Sequence, residues 1–176
     1  HKTNKNHADY GDYVRRLGTK VSMMNKASCI GYLDADNTIE PNHVEEVLKT
    51  HENTRKNIVI SGRNIISSEN KLLEENNKQG FFDTNTITFF NDSIKIGLLW
   101  GRYPNQLSLI GDRIISQYIK KYHFNDIAFT NKETVNYSPS KISVQKTDQF
   151  KQWFSNNQSS INETLTKRFG FKLSMD

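Results

Sequence analysis

The sequence predicts an α/β fold, a sheet flanked by helices, and three observations carry the expectation. Short and almost wholly apolar runs recur along the chain, among them Cys29 to Leu33, Ile58-Val59-Ile60 and Ile87-Thr88-Phe89-Phe90, as expected of strands buried in a sheet. Between and after them come stretches at helical spacing: Val44, Val47, Leu48 and His51, then Ile114, Ile115, Tyr118, Ile119 and Tyr122. The first run stops abruptly at two carboxylates, Asp34 and Asp36, and open α/β sheets bind ligands at that end of a strand.

In chain order, Tyr10-Gly11-Asp12 reads as a turn before a short helix ending at Gly18. The run from Cys29 is expected to be a strand buried on both faces of a parallel sheet, with Cys29 inside it. If strand geometry continues through Asp34-Ala35-Asp36, both carboxylates share a face, where one cation or one ribose hydroxyl could engage the pair. Pro41 suits the first turn of the next helix, where its missing N–H costs nothing. Ile58 to Ile60 is a strand, Ile65-Ile66 a second apolar pair, and residues 67 to 79 a surface loop or short helix. Ile87 to Phe90 follows Asp83-Thr84-Asn85. The segment LLWGRYPNQLSL has the composition of a binding loop. Gly111-Asp112 then opens a helix, in which Asp112 caps or stabilises the N-terminus. Ile127-Ala128-Phe129 and Thr134 to Tyr137 read as two short strands, and the aromatic, basic remainder as a helix that covers the core.

Composition sets limits on function. A chain of 176 residues with ordinary apolar content suits one domain with a real core, and no apolar run approaches the length of a membrane-spanning helix. The net charge of +5 is spread along the chain, which favours anionic partners: a phosphorylated sugar donor, an acidic glycan or a membrane surface touched peripherally. No nucleic-acid-binding motif accompanies that charge. One cysteine excludes a disulfide within the chain and fits a reducing compartment.

The ordered set IGYLDADNTIEPNHVEEVL, FFDTNTITFF and LLW followed by LIGDRII resembles the family 2 glycosyltransferases of the GT-A fold, a Rossmann-like α/β architecture. The likeness runs over residues 9 to 137. It extends upstream to DYGDYVRRLGT, where an Arg-x-x-Gly pattern leads into the strand and Arg16 joins the donor-binding set. The resemblance implies a nucleotide-sugar donor, a glycan or lipid-linked acceptor, and Mn²⁺ or Mg²⁺ bridging the donor diphosphate. Asp36 would hold that metal and Asp34 would contact the ribose or sugar. Hard cations take oxygen ligands and stabilise charge on a departing nucleoside diphosphate. Asp112 matches the family's general base, Asp83, Thr84 and Asn85 would line the sugar or acceptor pocket, and Trp100 would stack on a sugar ring or serve as core.

Beside that family the chain looks N-terminally incomplete, since no nucleobase-holding strand and helix is found before Asp9. The reading is therefore a partial GT-A-like core over 1–140 and a helical extension over 141–176, in a bacterial, cytoplasmic, metal-dependent and inverting enzyme. His123 is the nearest candidate for a further metal ligand, although a His at a helix end more often caps carbonyls. Two alternatives stand beside it. Asp34-x-Asp36-x-Thr38 also fits the nucleophile loop of haloacid-dehalogenase-like phosphatases, with Asp34 attacking phosphorus, but the later Gly-Asp-x-x-x-Asp pair lacks its second acid because Ser116 stands there. The other is a non-catalytic glycan-binding fragment.

Overall fold

A computed structural model describes residues 10–66, 72–76, 82–138 and 147–174, the side chains of 72–76 and 147–149 excepted. Helix α1 (Asp12–Met24) starts after Gly11, whose φ of 84° turns the chain into the helix, and runs on through Gly18 instead of ending there. A helix interior tolerates one glycine at a modest cost, and nothing else in this segment forces a stop. Strand β1 (Cys29–Gly31) and strand β2 (Thr38–Ile39) flank the acidic loop. Helix α2 (His43–Thr54) begins two residues after Pro41, and its glutamates Glu45 and Glu46 lie in the first turn, where the helix dipole favours them.

Strand β3 (Ile58–Ile66) joins the expected strand and the second apolar pair into one element. Strand β4 (Leu72–Asn76) occupies part of the stretch expected to be loop or short helix; the rest of that stretch lies outside the described residues. Strand β5 (Ile87–Phe90) is buried throughout. Helix α3 (Gly111–Tyr122) follows a 3₁₀ segment over Asn105–Ile110. Strand β6 (Ile127–Tyr137) unites the two short strands read from sequence, and helix α4 (Thr147–Phe169) follows. The boundary expected near residue 140 falls outside the described residues.

Among the described residues the sheet has six strands in the order β1-β5-β3-β6-β2, with β4 paired to the far end of β3. It is mixed: β3 and β6 run parallel, and β1–β5, β5–β3, β3–β4 and β6–β2 are antiparallel. The expectation for the first strand is therefore corrected. Among the described residues β1 pairs only with β5, it lies at the edge of the sheet, and Cys29 is exposed. Its apolar appearance comes from Ile30 and Tyr32, which pack inward onto the core, while Cys29, Gly31 and Leu33 are exposed.

One core layer sets Ile58, Ile60, Ile87 and Phe89 of the sheet against Ile115 and Ile119 of α3, with Trp100 and Phe82 at the side. A second joins Tyr103, Leu107, Ile110 and Ile114 to Phe154, Ile161 and Leu165 of α4. Helix α3 belongs to both, so its two faces fix the position of its first turn. Gly111 permits that turn to lie close to its neighbours: a Cβ there would meet the Tyr103 hydroxyl, Asp12 Oδ1 at 3.1 Å and Trp100 Cζ3 at 3.3 Å.

Candidate active site

Several chain segments converge on one cleft of about 240 Å³, among them the start of α1, the loop after β1, the turn before β5 and the start of α3. Asp34, Asp83, Thr84, Asn85, Trp100 and Asp112, dispersed over nearly eighty positions of sequence, all line it. So do Asp12, Arg15, Ser108 and Tyr137, which sequence reasoning did not assign to the site.

The cleft floor is a chain of hydrogen bonds, charge-assisted except where the Asp34 backbone N–H meets the Asn85 amide oxygen. Arg15 Nη2 donates to Asp34 Oδ1 at 2.5 Å. The Asp34 backbone N–H donates to Asn85 Oδ1 at 2.6 Å, and Asn85 Nδ2 donates to Asp34 Oδ2 at 3.3 Å and to Asp83 Oδ1 at 2.9 Å. Asp83 also accepts the Asn85 backbone N–H, fixing the 3₁₀ turn Thr84–Thr86, and pairs with Arg63 Nη1 at 2.7 Å. Bonds of this class are shorter and stronger than neutral ones, and their linkage holds the loop after β1 at a set distance from β5. The Arg15 guanidinium lies 5.1 Å from the Trp100 ring centre, and the Arg63 guanidinium 5.0 Å from that of Tyr137.

The strand expected to carry both carboxylates ends at Gly31, so the shared-face argument fails. Asn37 N–H instead donates to Asp34 O at 3.0 Å and closes a turn, which leaves Asp34 half-buried in the network and Asp36 exposed at its tip. Arg15, not Arg16, faces the cleft. Trp100 is 1% exposed and belongs to the core cluster, with a guanidinium over its ring. Thr84 is buried in the cleft wall. His123 ends α3, about 16 Å along the helix from Asp112 at 1.5 Å per residue, and packs beside Tyr118.

Asp112 is not the N-cap, a position taken by Ile110; it lies in the first turn and its Oδ1 accepts the Arg113 backbone N–H at 2.7 Å. Burial pushes its carboxyl up to about 6, the negative charge of Asp83 adds to the rise, and the Arg113 hydrogen bond with the Arg113 and Arg63 charges opposes it. A carboxyl held there is ionised at neutral pH yet a far better proton acceptor than an ordinary aspartate.

Among the described residues no group of three or more His, Cys, Asp or Glu side chains is placed to hold a metal. Mg²⁺ and similar ions are commonly bound by one or two carboxylates plus substrate phosphates; of the expected pair, Asp34 lines the cleft with one oxygen paired to Arg15, and exposed Asp36 is not among the cleft-lining residues.

Comparison with known proteins bears on the family and the fold. Residues 21–104 match the model of Glycosyl transferase family 2. No curated protein matches the chain. Among solved structures, the crystal structure of S. aureus TarS 1-349 in complex with UDP has the same fold, with a TM-score of 0.52 at 11% identity over 93% of this chain and 53% of TarS. The chain thus spans about half the length of that neighbour.

Proposed function

We propose, from the premise that residues 21–104 are a family 2 glycosyl transferase segment on a GT-A-like fold, that the cleft transfers a sugar from a nucleotide-sugar donor to an acceptor hydroxyl. The observation that carries this reading is the convergence of Arg15, Asp34, Asp83, Asn85 and Asp112 on one cleft, with the Asp112 carboxyl raised to about 6. Asp112 takes the proton of the acceptor hydroxyl as its oxygen attacks the anomeric carbon. The bond from that carbon to the nucleoside diphosphate breaks, and its electron pair leaves with the diphosphate. Attack opposite the leaving group inverts the anomeric centre. Arg15 supplies a guanidinium for the diphosphate, a role that bidentate geometry suits. Asp34 and Asn85 hydrogen-bond the ribose or sugar, and Asp83 with Thr84 bounds the sugar pocket.

Asp36, with Asp34 beside it, would hold Mn²⁺ or Mg²⁺. A bound divalent ion supplies charge neutralisation for the departing diphosphate. Because the neighbour of similar fold is described in complex with UDP, UDP-sugars are the donors to test first. The acceptor is a glycan or a lipid-linked sugar. The setting is a bacterial cytoplasm, where the net charge of +5 would support contact with an anionic membrane surface, and no helix among the described residues is long and apolar enough to cross a membrane. The covering helix α4 acts as an extension of a catalytic core that ends near residue 140.

Calorimetric titration with UDP-, GDP- and dTDP-sugars, with and without Mn²⁺, tests the reading. Metal-dependent binding that Asp36→Asn abolishes, and Asp34→Asn weakens to a lesser degree, is the expected result. Unchanged metal-dependent binding in Asp36→Asn would remove the metal assignment, and donor binding without any turnover would favour a glycan-binding protein.

A further inference from the structure

On the other side of the 3₁₀ segment Asn105–Ile110 lies a second groove, of about 370 Å³, between that segment and α4. Its volume falls in the range of small-molecule clefts, roughly 300–1,000 Å³. Trp153, Asn157, Ser160 and Thr164 line one wall, at intervals that place them along a single face of α4, and Gln106 and Leu107 line the other. The wall spans about 16 Å at 1.5 Å per helical residue.

The chemistry of the lining is selective. Every polar side chain in it is an amide or a hydroxyl, and none is ionisable, although the chain as a whole carries 24 basic and 19 acidic residues. Amides and hydroxyls both donate and accept, which suits a ligand presenting many hydroxyl groups, and an indole offers an apolar face to the C–H surface of a sugar ring. Trp153 is half-buried and lies nearly parallel to Phe150, at 26° and 6.1 Å between ring centres, so its plane is set. Asn157 Nδ2 donates to the Trp153 carbonyl at 2.8 Å, which fixes the amide with its oxygen available as an acceptor. An anionic ligand would find no cation here, and a purely apolar one would strand the hydroxyls and amides.

Continuity with the catalytic cleft gives the groove a role. Leu107 lines the groove, while the next residues, Ser108 and Leu109, line the cleft, and Asp112 follows within one turn. We propose that this groove binds an uncharged saccharide unit of the acceptor, remote from the hydroxyl that reacts, so that the acceptor is a neutral glycan read over more than one sugar. The inference rests on the transferase reading above for the word acceptor, but the binding itself does not.

The test is NMR titration of the full chain, without donor, using a panel of neutral malto-, cello- and chito-oligosaccharides of four to six units, following the indole N–H signals of Trp100 and Trp153. The Trp153 signal should shift in a saturable manner with at least one of the panel while the buried Trp100 signal stays in place. Asn157→Ala combined with Ser160→Ala, both exposed positions, should weaken that binding at least fivefold while leaving donor affinity and the thermal midpoint unchanged. No saturable Trp153 response to any of the panel up to 10 mM, or a response that the double substitution leaves intact, would overturn the proposal. Trp153 binding in a chain that turns over no nucleotide-sugar would instead retain the groove and remove the transferase reading, so the two failures are distinguishable.

Discussion

Arg15 and Arg16 are adjacent in sequence and opposite in surroundings. Arg15 pairs with Asp34 at 2.5 Å, lies 3.6 Å from buried Asp12 and covers the Trp100 ring, whereas Arg16 takes no part in the cleft. The Arg-x-x-Gly spacing in Arg15-Arg16-Leu17-Gly18 begins at Arg15, so the pattern pointed to Arg15 and the assignment to Arg16 was one residue off. A one-residue step on a helix turns a side chain by about 100°, enough to take it out of the cleft. A hydrogen bond to a charged group is worth about 1.5–3 kcal/mol, so Arg15→Ala should lower donor affinity at least about tenfold, and Arg16→Ala less than about twofold. Isothermal titration of the two variants side by side checks it, and a reversed order would return the site to Arg16.

Asp112, by contrast, was singled out by its motif and lines the cleft, in the first turn of α3 and not at the N-cap. Its raised carboxyl gives two signs to check. In the folded protein it holds its proton up to about 6, while in the unfolded chain it releases it near the ordinary value of 3.8. The folded state therefore binds the extra proton between those values, and this group's contribution to stability declines as pH rises through that window and stays lower above it. Asp112→Asn removes the penalty of an ionised buried carboxylate, so urea denaturation at pH 7.5 should show the variant at least as stable as the parent, with the gap closing toward pH 4. If Asp112 is the base, kcat/KM should rise with pH to a plateau above about 6.

Among the elements, α1 is held by one close approach and weakened by one open position. A Cβ on Gly97 would overlap the Tyr32 hydroxyl and lie 2.5 Å from Thr19 Oγ1, the two groups that join α1 to β1 through a 2.8 Å hydrogen bond. Gly18 has nothing within 4 Å of its Cβ position and sits inside the helix. Gly97→Ala should thus destabilise by about 1–3 kcal/mol, a fall of roughly 2–12 °C in melting temperature. Gly18→Ala should stabilise by about 0.5–1 kcal/mol, a rise of roughly 1–4 °C. Differential scanning calorimetry gives both, and equal signs would contradict the packing described for α1. Gly18 also shows why the end of α1 was misread: glycine lowers helix propensity without forbidding it, and Thr19, fully buried against Tyr32, keeps the helix going.

For the whole molecule, the α/β class was legible, and so was the placing of Asp34, Asp83, Thr84, Asn85, Trp100 and Asp112 along one cleft, because apolar runs and acidic turns are local signals; Asp12, Arg15, Ser108 and Tyr137 were missed, and Arg16 and Asp36 do not line it. Strand direction was not legible. An apolar run such as Cys29 to Leu33 fits a parallel central strand as well as an antiparallel edge, and pairing with β5 some sixty residues later decides between them. The merging of Ile127–Phe129 and Thr134–Tyr137 into β6 likewise depends on β3 running parallel beside both, through register shifts that a local pattern does not register. Long-range pairing also gathers the cleft: β5 brings Asp83 to Asn85 against the loop after β1, and α3, wedged between two core layers, brings Asp112 to meet them.

That convergence is the central claim, and sugar transfer by Asp112→Asn measured on the same sample as donor affinity tests it most directly. Asparagine keeps the shape and an acceptor oxygen but cannot take a proton, and general-base assistance is worth roughly a hundred- to ten-thousand-fold in rate. The account predicts a folded variant that binds the UDP-sugar within about twofold of the parent and transfers it at least about a hundredfold more slowly. Parent-like transfer by that variant, with donor binding intact, would contradict it.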